Sequence, residues 1–279
     1  GQAIDAYLKG GFADLALQGK REFVSQYRFG APFWDGRQRA DAPEVVAELK
    51  SHLQDVARYQ HALAQSSGQR GDYVEAARWY REYLVSFPDE PDSAATNYLL
   101  ADALFEAGDY LEATIEYERT AYNYAPDERA AQAGYAALVS FDKQEAAMSG
   151  AARDIWHRAS IDSSLRFAEV FPLHPEAGGM RLRAAQQLFN LREYQQASDA
   201  ALLAAAHQPA LAPDAQRTAW NVVADAAFEL GRYPQAEAAY AEVLARMPAA
   251  DGAREAIAER LAAVVYKQGE AKQQAGDVD

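Results

Sequence analysis

The feature that most constrains this chain is a six-residue signature that recurs along it. Gly71-Asp72-Tyr73-Val74-Glu75-Ala76 returns as Gly108-Asp109-Tyr110-Leu111-Glu112-Ala113. It appears again as Arg192-Glu193-Tyr194-Gln195-Gln196-Ala197 and as Gly231-Arg232-Tyr233-Pro234-Gln235-Ala236. Gly71 to Gly108 spans 37 residues, Gly108 to Arg192 spans 84, and Arg192 to Gly231 spans 39. Self-similarity at this period marks an array of like units, each burying its apolar face against its sequence neighbours rather than in one central core.

The residue types say what the unit is. Four positions after each alanine stands Tyr80, Tyr117, Ala201 or Tyr240, and a proline follows: Pro88, Pro126, Pro209 and Pro248. Glycine permits a tight reversal after one helix, and the aromatic wedges between that helix and the next. The small alanine lets the second helix approach closely, and proline ends it. Each copy therefore reads as a helical hairpin. The first helices align as well, in Tyr98 to Phe105, Met180 to Asn190 and Trp220 to Phe228, with apolar residues at intervals of three and four.

The long middle interval hides another hairpin. Its first helix is expected over Ala130 to Phe141 and its second over about Ile155 to Phe171, stopped by Pro172 and Pro175. A long Lys143 to Arg153 segment containing Ser149-Gly150 stands in for its turn. The expected hairpins are residues 44–88, 93–126, 127–175, 178–209 and 214–248, within one solenoid over 1–279. Residues 1–43 read as a partial repeat and connector, with Gly10-Gly11-Phe12 and Leu15-Ala16 as a degenerate signature. Residues 252–279 read as the first helix of a further repeat, Arg254 to Gln274, with Gly276-Asp277-Val278 where a turn belongs. The chain thus reads as a piece of a longer repeat protein.

With 27 Lys and Arg against 41 Asp and Glu, the net charge of -14 disfavours phosphate backbones and anionic lipid as partners. The absence of cysteine excludes disulfides, zinc–thiolate sites and thiol nucleophiles. No apolar run approaches 18 residues and no charged-then-apolar leader opens the chain, so this stretch is expected neither to enter a membrane nor to carry its own export signal.

On these residues the chain resembles the tetratricopeptide repeat family, over most of residues 1–279. The longer repeats joined by Pro88-Asp89-Glu90-Pro91-Asp92-Ser93-Ala94 are similar to those of bacterial periplasmic and outer-membrane-associated members. The resemblance implies an all-α solenoid of helix-turn-helix repeats in a right-handed superhelix, without a cofactor or catalytic function. Its concave face, lined by first helices, would hold a protein or peptide partner. Carried over position by position, that face comprises Tyr98, Asp102, Phe105 and Glu106, then Leu182, Gln186, Phe189 and Asn190, then Asn221, Asp225, Phe228 and Glu229. Aromatic anchors beside hydrogen-bonding groups suit a peptide segment. Packing against the next hairpin would account for the same three phenylalanines, and a solvated face for the acidic residues. The subgroup implies a scaffold of the cell envelope, with the cytoplasm as the alternative compartment. A repeat arm of a larger regulatory or enzyme-bearing protein, or a carbohydrate- or peptidoglycan-associated module, are the other functions open to such a chain.

Other chemistry finds little footing. His52, His61, His157, His174 and His207 lack the three- or four-residue spacing of helical metal ligands. No phosphate-cradling or nucleophile motif occurs, and Gly178-Gly179 is a lone pair expected in a linker. Trp34, in a Gly- and Pro-containing connector, reads as a cap on an exposed hairpin, and Trp156 lies outside the signature. The helix around Arg78-Trp79-Tyr80-Arg81-Glu82-Tyr83 mixes cations with aromatics, but the overall acidity argues against base stacking.

Overall fold

The computed structural model describes residues 2–274, and all regular structure among them is helical. The helices are α1 (Gln2–Lys9), α2 (Ala13–Tyr27), α3 (Pro43–Ser67), α4 (Arg70–Ser86), α5 (Ser93–Glu106), α6 (Tyr110–Tyr122) and α7 (Ala130–Ala146). They continue as α8 (Gly150–Val170), α9 (Ala177–Asn190), α10 (Tyr194–Ala205), α11 (Pro213–Glu229), α12 (Tyr233–Ala245) and α13 (Arg254–Gln274). None of the described helices is long and apolar enough to cross a membrane. The chain forms two compact units, Gly1–Met148 and Ser149–Asp279. Within each, every helix packs chiefly on the helices before and after it, with α9 also touching α11. This is the packing of an α-solenoid, as the repeats require.

The unit boundary falls inside the hairpin expected over 127–175, so α7 belongs to the first unit and α8 to the second. The long turn expected from Lys143 to Arg153 is largely helical. α7 runs on to Ala146 and α8 starts at Gly150, leaving only 147–149 between them. α13 covers Arg254–Gln274 as expected, while Gly276-Asp277-Val278 lies outside the described residues.

Four reversals share one backbone form. Gly11, Gly108, Arg192 and Gly231 have φ of 78°, 76°, 62° and 69°. In each, the following N–H reaches back five residues: Phe12 to Tyr7, Asp109 to Leu104, Glu193 to Leu188 and Arg232 to Ala227, at 2.8–2.9 Å. These paired bonds satisfy the carbonyls that a helix end leaves unpaired. The Gly11 turn, which looked degenerate, is therefore a full member of the set. Phe12 occupies the place of Asp109, and Ala13 that of the wedge tyrosine. The Gly71 turn is not a member: Gly71 lies inside α4, and the left-handed residue is Gly68, with φ of 64°. Gly178-Gly179 is likewise helical, inside α9. A Cβ on Gly178 would lie 2.6 Å from His207 Cδ2, so close approach rather than flexibility accounts for that glycine.

Arg192 alone among these turns holds a left-handed φ with a side chain, at a cost of roughly 1–2 kcal/mol. Arg192→Gly removes that strain and returns part of the gain through a more flexible unfolded chain. The expected result is a net stabilisation of about 0.5–1 kcal/mol, read as a raised urea midpoint. An unchanged or lowered midpoint would contradict it.

The wedge is seen in all three regular hairpins. Tyr110, Tyr194 and Tyr233 open the second helices and meet Phe105, Phe189 and Phe228, with ring centroids 5.2, 5.3 and 5.8 Å apart. Ala76, Ala113, Ala197 and Ala236 are fully buried where the helices approach. The connector after α2 is tied down by Trp34, whose Nε1 donates to the carbonyl of Tyr27 at 2.7 Å and so satisfies the end of α2.

His52 sits buried between α2 and α3, edge-on to Phe23 at 4.9 Å, and neither ring nitrogen has a hydrogen-bond partner. Burial, with help from the Lys20 ammonium, lowers its pKa against the opposing pull of Glu48 and Asp55. Burial also lowers His61 and His207. Below about pH 6.5 the unfolded chain takes up protons that the fold refuses, so stability falls as pH falls. The thermal midpoint is expected to drop between pH 7.5 and pH 6, and less steeply for His52→Phe. Equal slopes for the two chains would exclude His52 as a source.

The candidate partner-binding faces

The first helix of each hairpin presents its candidate residues in a fixed order set by its reversal. In the first unit, α5 carries Tyr98, Asp102 and Phe105 half-buried, and Glu106 exposed. The Tyr98 ring meets that of Tyr117 on α6 at 5.6 Å, and Tyr117 Oη donates to Asp102 Oδ1 at 2.5 Å. Burial raises the Asp102 carboxyl and Glu106 adds to this, while the tyrosine hydrogen bond opposes both. Burial beside Asp102 also lifts the Tyr98 phenol to about 12. Asp102 is thus spent largely on bracing its own hairpin.

The second unit repeats the device. On α11, Asp225 accepts a short hydrogen bond from Tyr240 of α12. Arg260 of α13 adds donors to both Asp225 oxygens, at 3.2 and 3.3 Å. On α9, where the tyrosine position is taken by Ala201, the aspartate position is taken by exposed Gln186. Partner and acceptor are thus both replaced at the same step of the repeat. In the first unit Tyr80 finds a different partner, with its Oη 3.1 Å from His61 Nδ1.

The remaining residues divide by burial. Gln186, Asn190 and Glu229 are exposed, whereas Phe189, Asn221 and Phe228 are half-buried. Phe189 and Phe228 pack against the core of the second unit, which includes Leu188, Val223 and Tyr240. Asn221 Oδ1 is buried without a hydrogen-bond partner. Leu182 is a correction: only 7% exposed, it packs with Ala204 and Ala219 and belongs to the core, out of a partner's reach. Each half-buried phenylalanine is therefore followed at once by an exposed polar residue, in the pairs Phe105–Glu106, Phe189–Asn190 and Phe228–Glu229.

Two surface features escaped the sequence. Arg260 closes a shallow cavity of about 200 Å³ with Asp225, Phe228 and Tyr240. Its signal is an opposite charge 35 residues after Asp225, close to one repeat on. Exposed Arg58 on α3 borders a small hollow with Tyr80, Tyr83 and Leu99. Among the described residues no group of three or more histidines and carboxylates is placed to hold a metal ion.

Left-handed reversal, aromatic wedge and buried alanine thus recur together in helical hairpins that stack as an α-solenoid. No family model and no curated protein sequence matches the chain. Among solved structures it is similar to TTC0263, a thermophilic TPR protein in Thermus thermophilus. That similarity is 16% identity over 75% of this chain and 99% of that one, with a TM-score of 0.34. It is also similar to BtubC (BKLC) from P. vanneervenii, at 15% identity over 82% of this chain and 89% of that one, with a TM-score of 0.32.

Proposed function

We propose that the chain is a non-catalytic interaction scaffold that holds a peptide segment or helix of another protein along its first-helix faces. One observation carries this reading. At equal offsets from three reversals, an exposed hydrogen-bonding residue adjoins a half-buried phenylalanine, in Phe105–Glu106, Phe189–Asn190 and Phe228–Glu229. An apolar ring at the surface beside polar groups free to point outward is the composition of a peptide-holding surface. The bracing of Asp102 and Asp225 by tyrosines keeps the hairpins rigid, which lowers the entropic cost of capture. The bacterial cell envelope is the compartment we favour, on the style of the Pro88 to Ala94 linker and the lack of cysteine.

The test uses exposed residues, so that loss of binding is not loss of fold. Glu106→Lys and Glu229→Lys are expected to leave the thermal midpoint within about 0.5 kcal/mol of wild type. They are also expected to abolish cross-linking to partners that wild type captures in its source cells. Retention of the same partners by the double variant would end the groove reading. Fractionation of those cells tests the compartment, and recovery from the cytoplasm alone would end the envelope assignment.

A further inference from the structure

A cavity of about 270 Å³ opens between α2 and α4, the second helices of adjoining hairpins in the first unit, away from the candidate partner-binding residues. Arg21, Val24, Ser25 and Arg28 line it from α2, and Arg78, Trp79 and Glu82 from α4. Three guanidinium groups and the Glu82 carboxylate line it, in a chain whose net charge is -14. Their pairing is uneven. Arg78 spans both oxygens of Glu75, at 2.9 and 2.6 Å, and lies over the Trp79 ring at 4.3 Å. Trp79 Nε1 donates to the same carboxylate at 2.8 Å. Arg78 is therefore already neutralised and acts as wall.

Arg21 and Arg28 form no ion pair among the described residues, and Arg21 meets a carboxylate only through space, that of Glu75. Arg21 gives one donor to neutral Gln60 Oε1, at 2.8 Å, while its Nε is buried without any acceptor. Arg28 is exposed and makes no ion pair among the described residues. A buried N–H left unmade carries the full desolvation penalty, and a planar guanidinium is matched by a two-oxygen anion. Val24 and Trp79 supply an apolar floor beside these donors. The volume lies just under the range of ~300–1,000 Å³ usual for drug-sized ligands, so one acidic residue or a small dicarboxylate fits.

We infer that this cavity is a carboxylate-binding site, in which Arg21 and Arg28 take the anion and the apolar part of the ligand lies over Val24 and Trp79. It occupies the second-helix side and stands independently of the groove reading. The carboxylate can come from a glutamate side chain of a peptide or from a free dicarboxylate, and both present the same two oxygens.

The test follows the Trp79 indole N–H by NMR, assigned with Trp79→Phe, while three probes are added to the full chain. These are glutarate, acetyl-Ala-Glu-Ala-amide and its glutamine counterpart. A saturable shift with the glutamate peptide, glutarate or both, and none with the glutamine peptide, supports the site and names the source. Arg28→Gln, at an exposed position, is expected to weaken that titration about tenfold or more. Glu82→Gln removes the carboxylate that lines the cavity and is expected to strengthen it. No shift with either anion, equal shifts with glutamine, or an Arg28→Gln titration like wild type would each overturn the assignment. Because Glu106→Lys and Glu229→Lys leave these residues untouched, failure here and failure of the groove are separate outcomes.

Discussion

Tyr83→Ala is expected to lower the stability of the first unit by about 3–5 kcal/mol, the range for truncating a large buried aromatic. Tyr83 is fully buried, with its ring 5.6 Å from Phe87. Its hydroxyl donates to Asp92 Oδ1 at 2.7 Å and accepts from Gln54 Nε2 at 3.3 Å. Asp92 is the residue before α5, so this tyrosine fastens the Pro88 to Ala94 linker onto α3 and α4. Ser93 and Lys50 fasten the same linker, through the Phe87 carbonyl at 2.8 Å and Glu90 at 2.7 Å. Tyr83→Phe keeps the ring and loses only the hydroxyl bonds, for about 1 kcal/mol. Chemical denaturation followed by circular dichroism separates the two. A Tyr83→Ala midpoint equal to that of Tyr83→Phe would mean the ring is not core.

Ala197→Leu is the counterpart in the second unit, and the defect is excess volume instead of a void. Ala197 is fully buried in a cluster with Ala184, Ala185, Leu188 and Ala201, where α9 and α10 approach through small side chains. Three added carbons have no space to enter, so the helices must part, at about 1–3 kcal/mol. Gln195→Leu, exposed on the same helix, is the control and is expected to stay within about 0.5 kcal/mol. Equal midpoints for the two variants would show that the helices do not touch there.

Much of this was legible in the sequence, because the repeat carries its own packing rules. The buried alanines, the wedge tyrosines and the run of α13 follow from residue type and period. What was not legible depends on backbone angle and on tilt. Gly71 and Gly68 are the same residue to a pattern, yet only Gly68 has the left-handed φ that a reversal needs. Gly178 looked like a linker residue because glycine weakens helices, whereas here it makes room for His207. Leu182 shares an offset with Tyr98 and Asn221, but α9 turns that position onto Ala204 and Ala219. The resemblance put Asp102 and Asp225 on the partner face, with a solvated face as the other reading, and neither discloses that Tyr117 and Tyr240 already occupy them.

In the α3–α4 hairpin the chain turns back at Gly68, while the interlock of His61 with Tyr73 and Tyr80 lies further down. The tip has been drawn out by the residues 70–72 that begin α4, and Tyr73 still precedes Ala76 by three positions. Register along such a ladder is thus governed from below the bend, by rings that mesh. The bend itself is spare length, which makes it the place where this architecture accommodates grafted loops, protease sites or reporter tags without disturbing the rungs on either side.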